Sequence, residues 1–304
     1  MFRDCFFEYA GRYSGDYNLI MAYVSDNNTD FIAGGKYEPS TDTLPMSAEQ
    51  LLYTLNYADN PIEFSVEIVN VDEAIPFEQM IEIKEWLFGQ DGWKRLLLES
   101  ADYKGYYLNC LLVPEYDIVD GYGYRGVRCT LKNVSGFWYR DEEITFTKDD
   151  FDNMTNNGED NIDSDGCVTI DMDIKGSSPY YISPILNFQI PEYEGSQNSN
   201  YYNFVIHNSS QQYNDIYPDS EINSTFSTTY TGKNLLLNCK YCTLSGDGSP
   251  ISLKLSNDTP QYDWFYLVKG KNTIKLKVKN VSNTYCPYLF FTIKYSAMYR
   301  IGGF

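Results

Sequence analysis

Along most of the chain apolar and polar positions alternate with a period of two, the pattern of strands that bury one face. The clearest run is Asn60-Pro-Ile-Glu-Phe-Ser-Val-Glu-Ile68. It sets Ile62, Phe64, Val66 and Ile68 on one face and Glu63, Ser65 and Glu67 on the other, which predicts a half-buried antiparallel strand. Trp93-Lys-Arg-Leu-Leu-Leu98 and Gly105-Tyr-Tyr-Leu-Asn-Cys-Leu-Leu-Val113 predict two more, and Glu99–Lys104 between them supplies the turn of a hairpin.

One segment follows a different period. In Ala74-Ile-Pro-Phe-Glu-Gln-Met-Ile-Glu-Ile-Lys-Glu-Trp-Leu-Phe-Gly89, the residues Phe77, Met80, Ile81, Lys84, Leu87 and Phe88 recur at helical spacing. Pro76 suits a first turn, Glu78 complements the N-terminal dipole and Gly89 is placed to stop the helix. The expectation is a single amphipathic helix with Phe77, Ile81, Leu87 and Phe88 buried against the sheet that holds Phe64 and Val66.

Residues 141–173 are acidic and loop-like, through Asp141-Glu-Glu143, Lys148-Asp-Asp150 and Asn156–Gly166, so the domain junction is placed near residue 140. Strands resume beyond Cys167 without a convincing helix. The candidates are Val168–Ile174, Ser183–Ile190, Tyr202–His207, Ser224–Thr229, Asn234–Leu244, Ile251–Leu255, Trp264–Val268, Thr273–Val278 and Tyr288–Tyr295. About nine strands predict a β-sandwich or jelly roll over 141–304. The fold class is mainly β, and 194–225 reads as long surface loops.

Composition narrows the function classes. With 304 residues and 35.1 kDa the chain has room for one large or two ordinary domains. An aromatic content of 16% supplies a core and excludes a disordered chain. No apolar run reaches the roughly 18 residues of a membrane helix, and acids stand near the start of the chain, so neither membrane insertion nor export is expected. A net charge of −19 disfavours nucleic-acid binding. Residues 1–173 hold 12 basic and 34 acidic side chains while 174–304 hold 11 and 8, which suggests two domains of different electrostatics.

Candidate chemistry is sparse. His207, the single histidine, ends a strand-like run and excludes a multi-histidine metal site. Seven cysteines in a chain without an evident leader predict reduced thiols; Cys239 and Cys242, the only CxxC, read as two strand thiols. Asn161-Ile-Asp-Ser-Asp-Gly166 matches half a calcium loop, but Met172 stands where the bidentate Glu belongs, which favours an Asp-rich turn over a calcium site at Asn161–Asp165. Trp86, Trp93, Trp138 and Trp264 read first as core. Gly34-Gly35 and Gly121–Gly126 lack the following Lys-Ser/Thr or helix of a phosphate loop, and the second reads as a hairpin tip. No catalytic, cofactor or metal residue is assigned.

The order of elements over residues 1–140 resembles the distal tail protein (Dit) family of siphovirus-type phage tails. The resemblance begins at Tyr9–Ile20 and is strongest over Asn60–Val113, where Glu85-Trp-Leu-Phe-Gly89 closes the helix and Gly92-Trp-Lys-Arg-Leu96 and Tyr103–Cys110 follow. Trp264–Ile274 and Phe291–Arg300 resemble the family's later strands. This implies an N-terminal β-sandwich with one helix that forms a homo-oligomeric ring, typically hexameric, and a C-terminal galectin-like or carbohydrate-module-like sandwich outside it. It also implies the partners: the tail tube protein, the tail-associated hub or spike protein, and receptor-binding or baseplate proteins, with DNA passing through the lumen. The leading expectation is a structural hub and not an enzyme. A carbohydrate-binding adhesion module is the main rival, and a glycosidase the third.

Overall fold

In a computed structural model of the protein, residues 5–23, 37–43, 50–57, 63–147, 150, 168–177, 181–189, 202–208, 224–228, 234–250, 265–279 and 290–299 are described. Over these the protein is mainly β, built from antiparallel strands and one α-helix. The chain divides into two compact units, Met1–Arg140 with Met298–Phe304, and Asp141–Ala297.

The first unit starts with β1 (Phe7–Tyr9), β2 (Arg12–Tyr13) and β3 (Ile20–Tyr23), then a separate hairpin of β4 (Tyr37–Thr43) and β5 (Gln50–Tyr57). Next come β6 (Glu63–Val69), α1 (Phe77–Phe88), β7 (Lys94–Leu98), β8 (Tyr107–Asp120), β9 (Gly123–Asn133) and the start of β10 (Trp138–Phe146). Hydrogen bonding orders them β3-β6-β9-β8-β7-β1-β2. An isolated bridge between Cys5 and Met21 links the segment before β1 back to β3, so the sheet folds over its own apolar face and leaves little open edge.

The period-two run behaves as its sequence predicts. Phe64, Val66 and Ile68 are buried, and Glu63 pairs across to Lys132 on the polar face. The predicted hairpin is β7 paired with β8, although β8 runs on to Asp120 and its outer half rises clear of the core. Gly126 is where β9 presses against β6: a Cβ there would lie 2.0 Å from the carbonyl oxygen of Ile68, so only glycine fits.

The helix forms where its spacing predicts, with Pro76 before it and the Gly89 amide donating to the carbonyl of Glu85. Its buried stripe is different. Met80, Ile83, Trp86 and Leu87 enter the core, Phe88 is half-buried, and Phe77 and Ile81 are exposed. At 100° per residue the helix carries two adjacent apolar stripes, 80/83/87 and 77/81/88, and the sheet receives the first. Trp86 fixes that choice. Its ring stacks on Phe7 (5.8 Å) and Tyr17 (5.5 Å), and its Nε1–H donates to the carbonyl of Tyr9 at 2.9 Å. Trp138 is also core, stacked on Tyr103 at 4.7 Å; Trp93 is not, being half exposed at the head of β7. Trp264 lies outside the described residues.

In the second unit β11 (Val168–Ile174), β12 (Ile185–Gln189), β13 (Tyr202–Asn208), β14 (Ser224–Thr228), β15 (Asn234–Asn238), β16 (Thr243–Gly246), β17 (Ser249–Pro250), β18 (Gly270–Lys279) and β19 (Phe290–Tyr299) fall into two groups. One sheet runs β11-β18-β13-β14, and the other places β17-β16-β15-β12-β19 side by side, as expected of a β-sandwich. Ile170, Met172, Ile274 and Leu276 of one and Leu186, Phe188, Leu237 and Phe291 of the other are buried. The predicted strand 234–244 is two strands joined by a turn. The Asn238 carboxamide oxygen accepts the amides of Lys240 and Tyr241, which turns the chain before a strand can continue. Ile251–Leu255 and the half-calcium loop at Asn161–Gly166 lie outside the described residues.

The step in charge at residue 173 is not a boundary of the fold. The acidic stretch 141–173 belongs to the second unit, so the first holds 12 basic and 22 acidic residues, net −10, and the second 11 and 20, net −9.

Candidate assembly surface

The stripe of α1 that the core does not take up forms a surface with the far half of the β8–β9 hairpin. Ile75 bridges to Tyr124, and the rings of Phe77 and Tyr124 lie 6.1 Å apart, so the start of the helix sits beside the hairpin. Lys84 Nζ reaches Asp117 Oδ2 at 2.7 Å and fastens the middle of the helix to β8. Phe77, Ile81, Val119 and Tyr122 stand out into solvent here, whereas Tyr116, also exposed, lies on the outer face of the sheet beside Arg128. Glu73, Glu78 and Glu85 are exposed around the helix.

The cations near this surface are already matched. Arg128 lies 3.2 Å from Glu115 and 3.7 Å from Glu67, and donates to the Tyr116 hydroxyl; Lys132 meets Glu63 at 3.2 Å and Arg125 meets Asp120 at 2.5 Å. The Glu115 carboxylate also accepts from the hydroxyls of Thr130 and Ser65. The Thr130 bond comes first among the causes that hold the Glu115 carboxyl below the usual range, followed by Ser65 and Arg128. These pairs tie β6, β8 and β9 together through their outer faces. They also leave the apolar side chains as what the surface offers a partner.

Candidate chemistry from the sequence is placed as follows. Cys239 and Cys242 lie in the β15–β16 turn: Cys239 is buried, its thiol pushed up to about 12 by burial, and Cys242 is exposed in a left-handed conformation with φ 54°. Burial also pushes up the Cys110 and Cys129 thiols, the latter to about 12, the opposite of an activated nucleophile. Cys5, Cys110, Cys129, Cys239 and Cys242 form no disulfide. His207 is the next-to-last residue of β13, in register with Lys275 of β18. Gly121 and Tyr122 turn β8 into β9, while Gly34 and Gly35 lie outside the described residues. Among the described residues no group of three or more His, Cys, Asp or Glu could hold a metal ion, and no helix is long and apolar enough to cross a membrane. Little in the sequence marks these hydrophobics as exposed. Only the doubling of the apolar stripe on α1 hinted at them.

Residues 4–135, nearly all of the first unit before β10, match the model of the family described as the phage tail protein N-terminal domain. Among curated proteins none matches. In fold the chain is similar to the Dit protein of phage SPP1, described as a paradigm of the hub adsorption apparatus in phages that infect Gram-positive hosts. That likeness spans 97% of this chain and 99% of that one at 12% identity, with a TM-score of 0.55. It is also similar to a chain of the phage p2 baseplate in its activated conformation with Sr, over 93% and 92% of the two chains at 14% identity, with a TM-score of 0.51.

Proposed function

Taking the first unit as a phage tail protein N-terminal domain, we propose that the chain is a distal tail protein, a structural hub in the tail tip or baseplate of the virion. Copies of the first unit close into a ring, typically of six. The ring joins the tail tube protein to the tail-associated hub or spike protein, and the second unit, a galectin-like or carbohydrate-module-like sandwich, holds receptor-binding or other baseplate proteins. The chain is made in the host cytoplasm and works by shape and contact rather than catalysis.

The observation that carries this reading is the span of the likeness: 97% of this chain against 99% of SPP1 Dit, alongside a separate family match to the first unit. The charge of the molecule supports the path of DNA through such a ring. A phosphate-holding lumen needs a run of Lys and Arg available to phosphate. Here Arg125, Arg128 and Lys132 each already face a carboxylate, and the first unit is net −10. The test is the mass of the full chain by native mass spectrometry and sedimentation, with negative-stain images of the particle. A closed ring with an open centre is expected. A strictly monomeric chain would overturn the reading.

One observation favours the rival reading, a carbohydrate-binding adhesion module. Tyr181 is about half exposed and its ring stacks on Tyr266 at 5.4 Å and 18°, the kind of flat aromatic platform on which a sugar ring packs. A monomer that binds glycans and loses them with Tyr181→Ala would establish it.

A further inference from the structure

Resting on the hub reading above, which supplies other tail proteins as neighbours, we infer that the trough between α1 and the tip of the β8–β9 hairpin docks a basic amphipathic helix of a different protein.

The spacing on α1 names the kind of partner. Phe77, Ile81, Lys84 and Phe88 follow one another at alternating steps of four and three residues, the seam that a helix offers to another helix. The sheet of this chain has taken the other stripe, Met80, Ile83, Trp86 and Leu87, so this seam is left over. Phe77 is 63% exposed and Ile81 51%, while Phe88 is half-buried. Lys84 interrupts the seam, and its charge is spent on Asp117 of β8 at 2.7 Å.

The hairpin forms the second wall. The Phe77 ring lies 6.1 Å from Tyr124, and Tyr124 stands opposite Val119 in the β8–β9 ladder. Cross-strand partners project to one face, so Ile81, Phe77, Tyr124 and Val119 make one continuous surface. Val119 is 60% exposed, and Tyr122, in the turn beyond it, 86%. At roughly 150–250 Å² for a whole aromatic side chain and somewhat less for an aliphatic one, the exposed parts of Phe77, Ile81, Val119 and Tyr122 come to about 450 Å². A patch of that size is at most about the largest found on an ordinary monomer, and such patches are often functional. It is about half of what each partner gives to a standard interface, so one site binds weakly and several copies in one particle bind together by avidity.

Charge selects the partner. Glu78 and Glu85 hold the positions beside the seam whose charges set partner choice between paired helices. They lie about 80–100° round the helix from Phe77, on the side away from Lys84 and the hairpin. Glu73 stands just before the helix. All three are exposed, and among the described residues no ion pair takes up their carboxylates. The cations near them are engaged elsewhere, Lys84 with Asp117, Arg125 with Asp120 and Arg12 with Glu82. An apolar seam with an unanswered acidic flank is complementary to a helix whose own apolar seam is flanked by Lys or Arg. A second copy of this chain is not that partner. Its first unit is net −10, and its α1 brings the same Glu78 and Glu85 to the seam, a like-charge penalty. Anionic polymers are repelled by the same acids.

The test uses the full chain and a synthetic three-heptad helix with Leu at the seam positions and Lys at the flanking ones, labelled with fluorescein and titrated by anisotropy. One control peptide has the same composition in scrambled order, and the other has Glu in place of Lys. The wild-type chain is expected to bind the Lys helix roughly tenfold or more tighter than either control. Phe77→Ser/Ile81→Ser is expected to lose that preference with a wild-type melt. Glu78→Lys/Glu85→Lys keeps the apolar seam and is expected to turn the preference toward the Glu helix; it decides the matter if the first variant melts early. A Lys helix bound no better than its scramble, or a preference that survives either variant, would overturn the docking site. Native mass spectrometry of the same proteins separates the two readings, because both variants are expected to assemble as the wild type does. If Phe77→Ser/Ile81→Ser breaks a wild-type ring, the surface is an interface between copies and this occupant is wrong. A monomeric wild type that still prefers the Lys helix would sink the hub reading and leave the docking site standing.

Discussion

Replacing Leu87 and Ile81 by alanine makes nearly the same chemical change at two places about 120° apart around α1. Leu87 is wholly buried, within the cluster that includes Phe7, Leu96 and Trp86, whereas Ile81 is 51% exposed. Removing a buried Leu side chain costs about 2–5 kcal/mol, the loss of transfer energy plus the cavity left behind. Ile81→Ala gives up only part of a side chain's burial and gains helix propensity, so its net cost is expected under about 1 kcal/mol. For a unit of this size each kcal/mol moves the melt by about 2–4 °C, which gives a drop of about 4–20 °C for Leu87→Ala and near zero for Ile81→Ala. Differential scanning calorimetry of the full chain reads both, with urea unfolding at fixed pH as a second measure. If Ile81→Ala costs as much as Leu87→Ala, the buried stripe is 77/81/88 after all, and the assembly surface built on Phe77 and Ile81 is lost with it.

Trp86→Phe keeps an aromatic ring against Phe7 and Tyr17 but strands the Tyr9 carbonyl, so chemical denaturation should show a loss of about 1–3 kcal/mol; an unchanged midpoint would mean water or a neighbour replaces that bond. Cys242 is the exposed thiol among the described cysteines, and the other four are buried, so native Ellman titration of Cys242→Ser should lose one fast-reacting equivalent relative to wild type. Glu115 has a depressed carboxyl in the folded state, so its stabilisation is present above the ordinary glutamate range near about 4.3 and is lost as pH falls through the lower folded value. Glu115→Gln should therefore unfold more easily than wild type at pH 7, with the gap closing on acidification; a gap that persists in acid would place its role elsewhere.

The sequence alone determined what neighbours along the chain decide. Alternation over Asn60–Ile68 set the face that β6 buries, because a strand has only two faces and one was apolar throughout. Pro76 and Gly89 bounded α1 through local backbone chemistry, and the β7–β8 hairpin followed from two apolar runs and a polar turn. The order of these elements was enough to point to the tail-protein family that residues 4–135 match.

Tertiary structure decided everything that depends on which surface meets which. A helix with two adjacent apolar stripes can be docked by either, and the choice rests on Trp86 finding Phe7, Tyr17 and the Tyr9 carbonyl, contacts between residues some 70 positions apart. Trp93 looked like core by composition, yet it stands half exposed beside the β1–β2 turn. The step in charge at residue 173 suggested two regions of different electrostatics, yet the two units, divided at residue 140, carry nearly equal net charge. Periodicity is set within a few residues of chain, whereas burial is a property of partners brought from far away in it, so the pattern could mark a side chain as apolar without saying whether this chain or a partner would cover it.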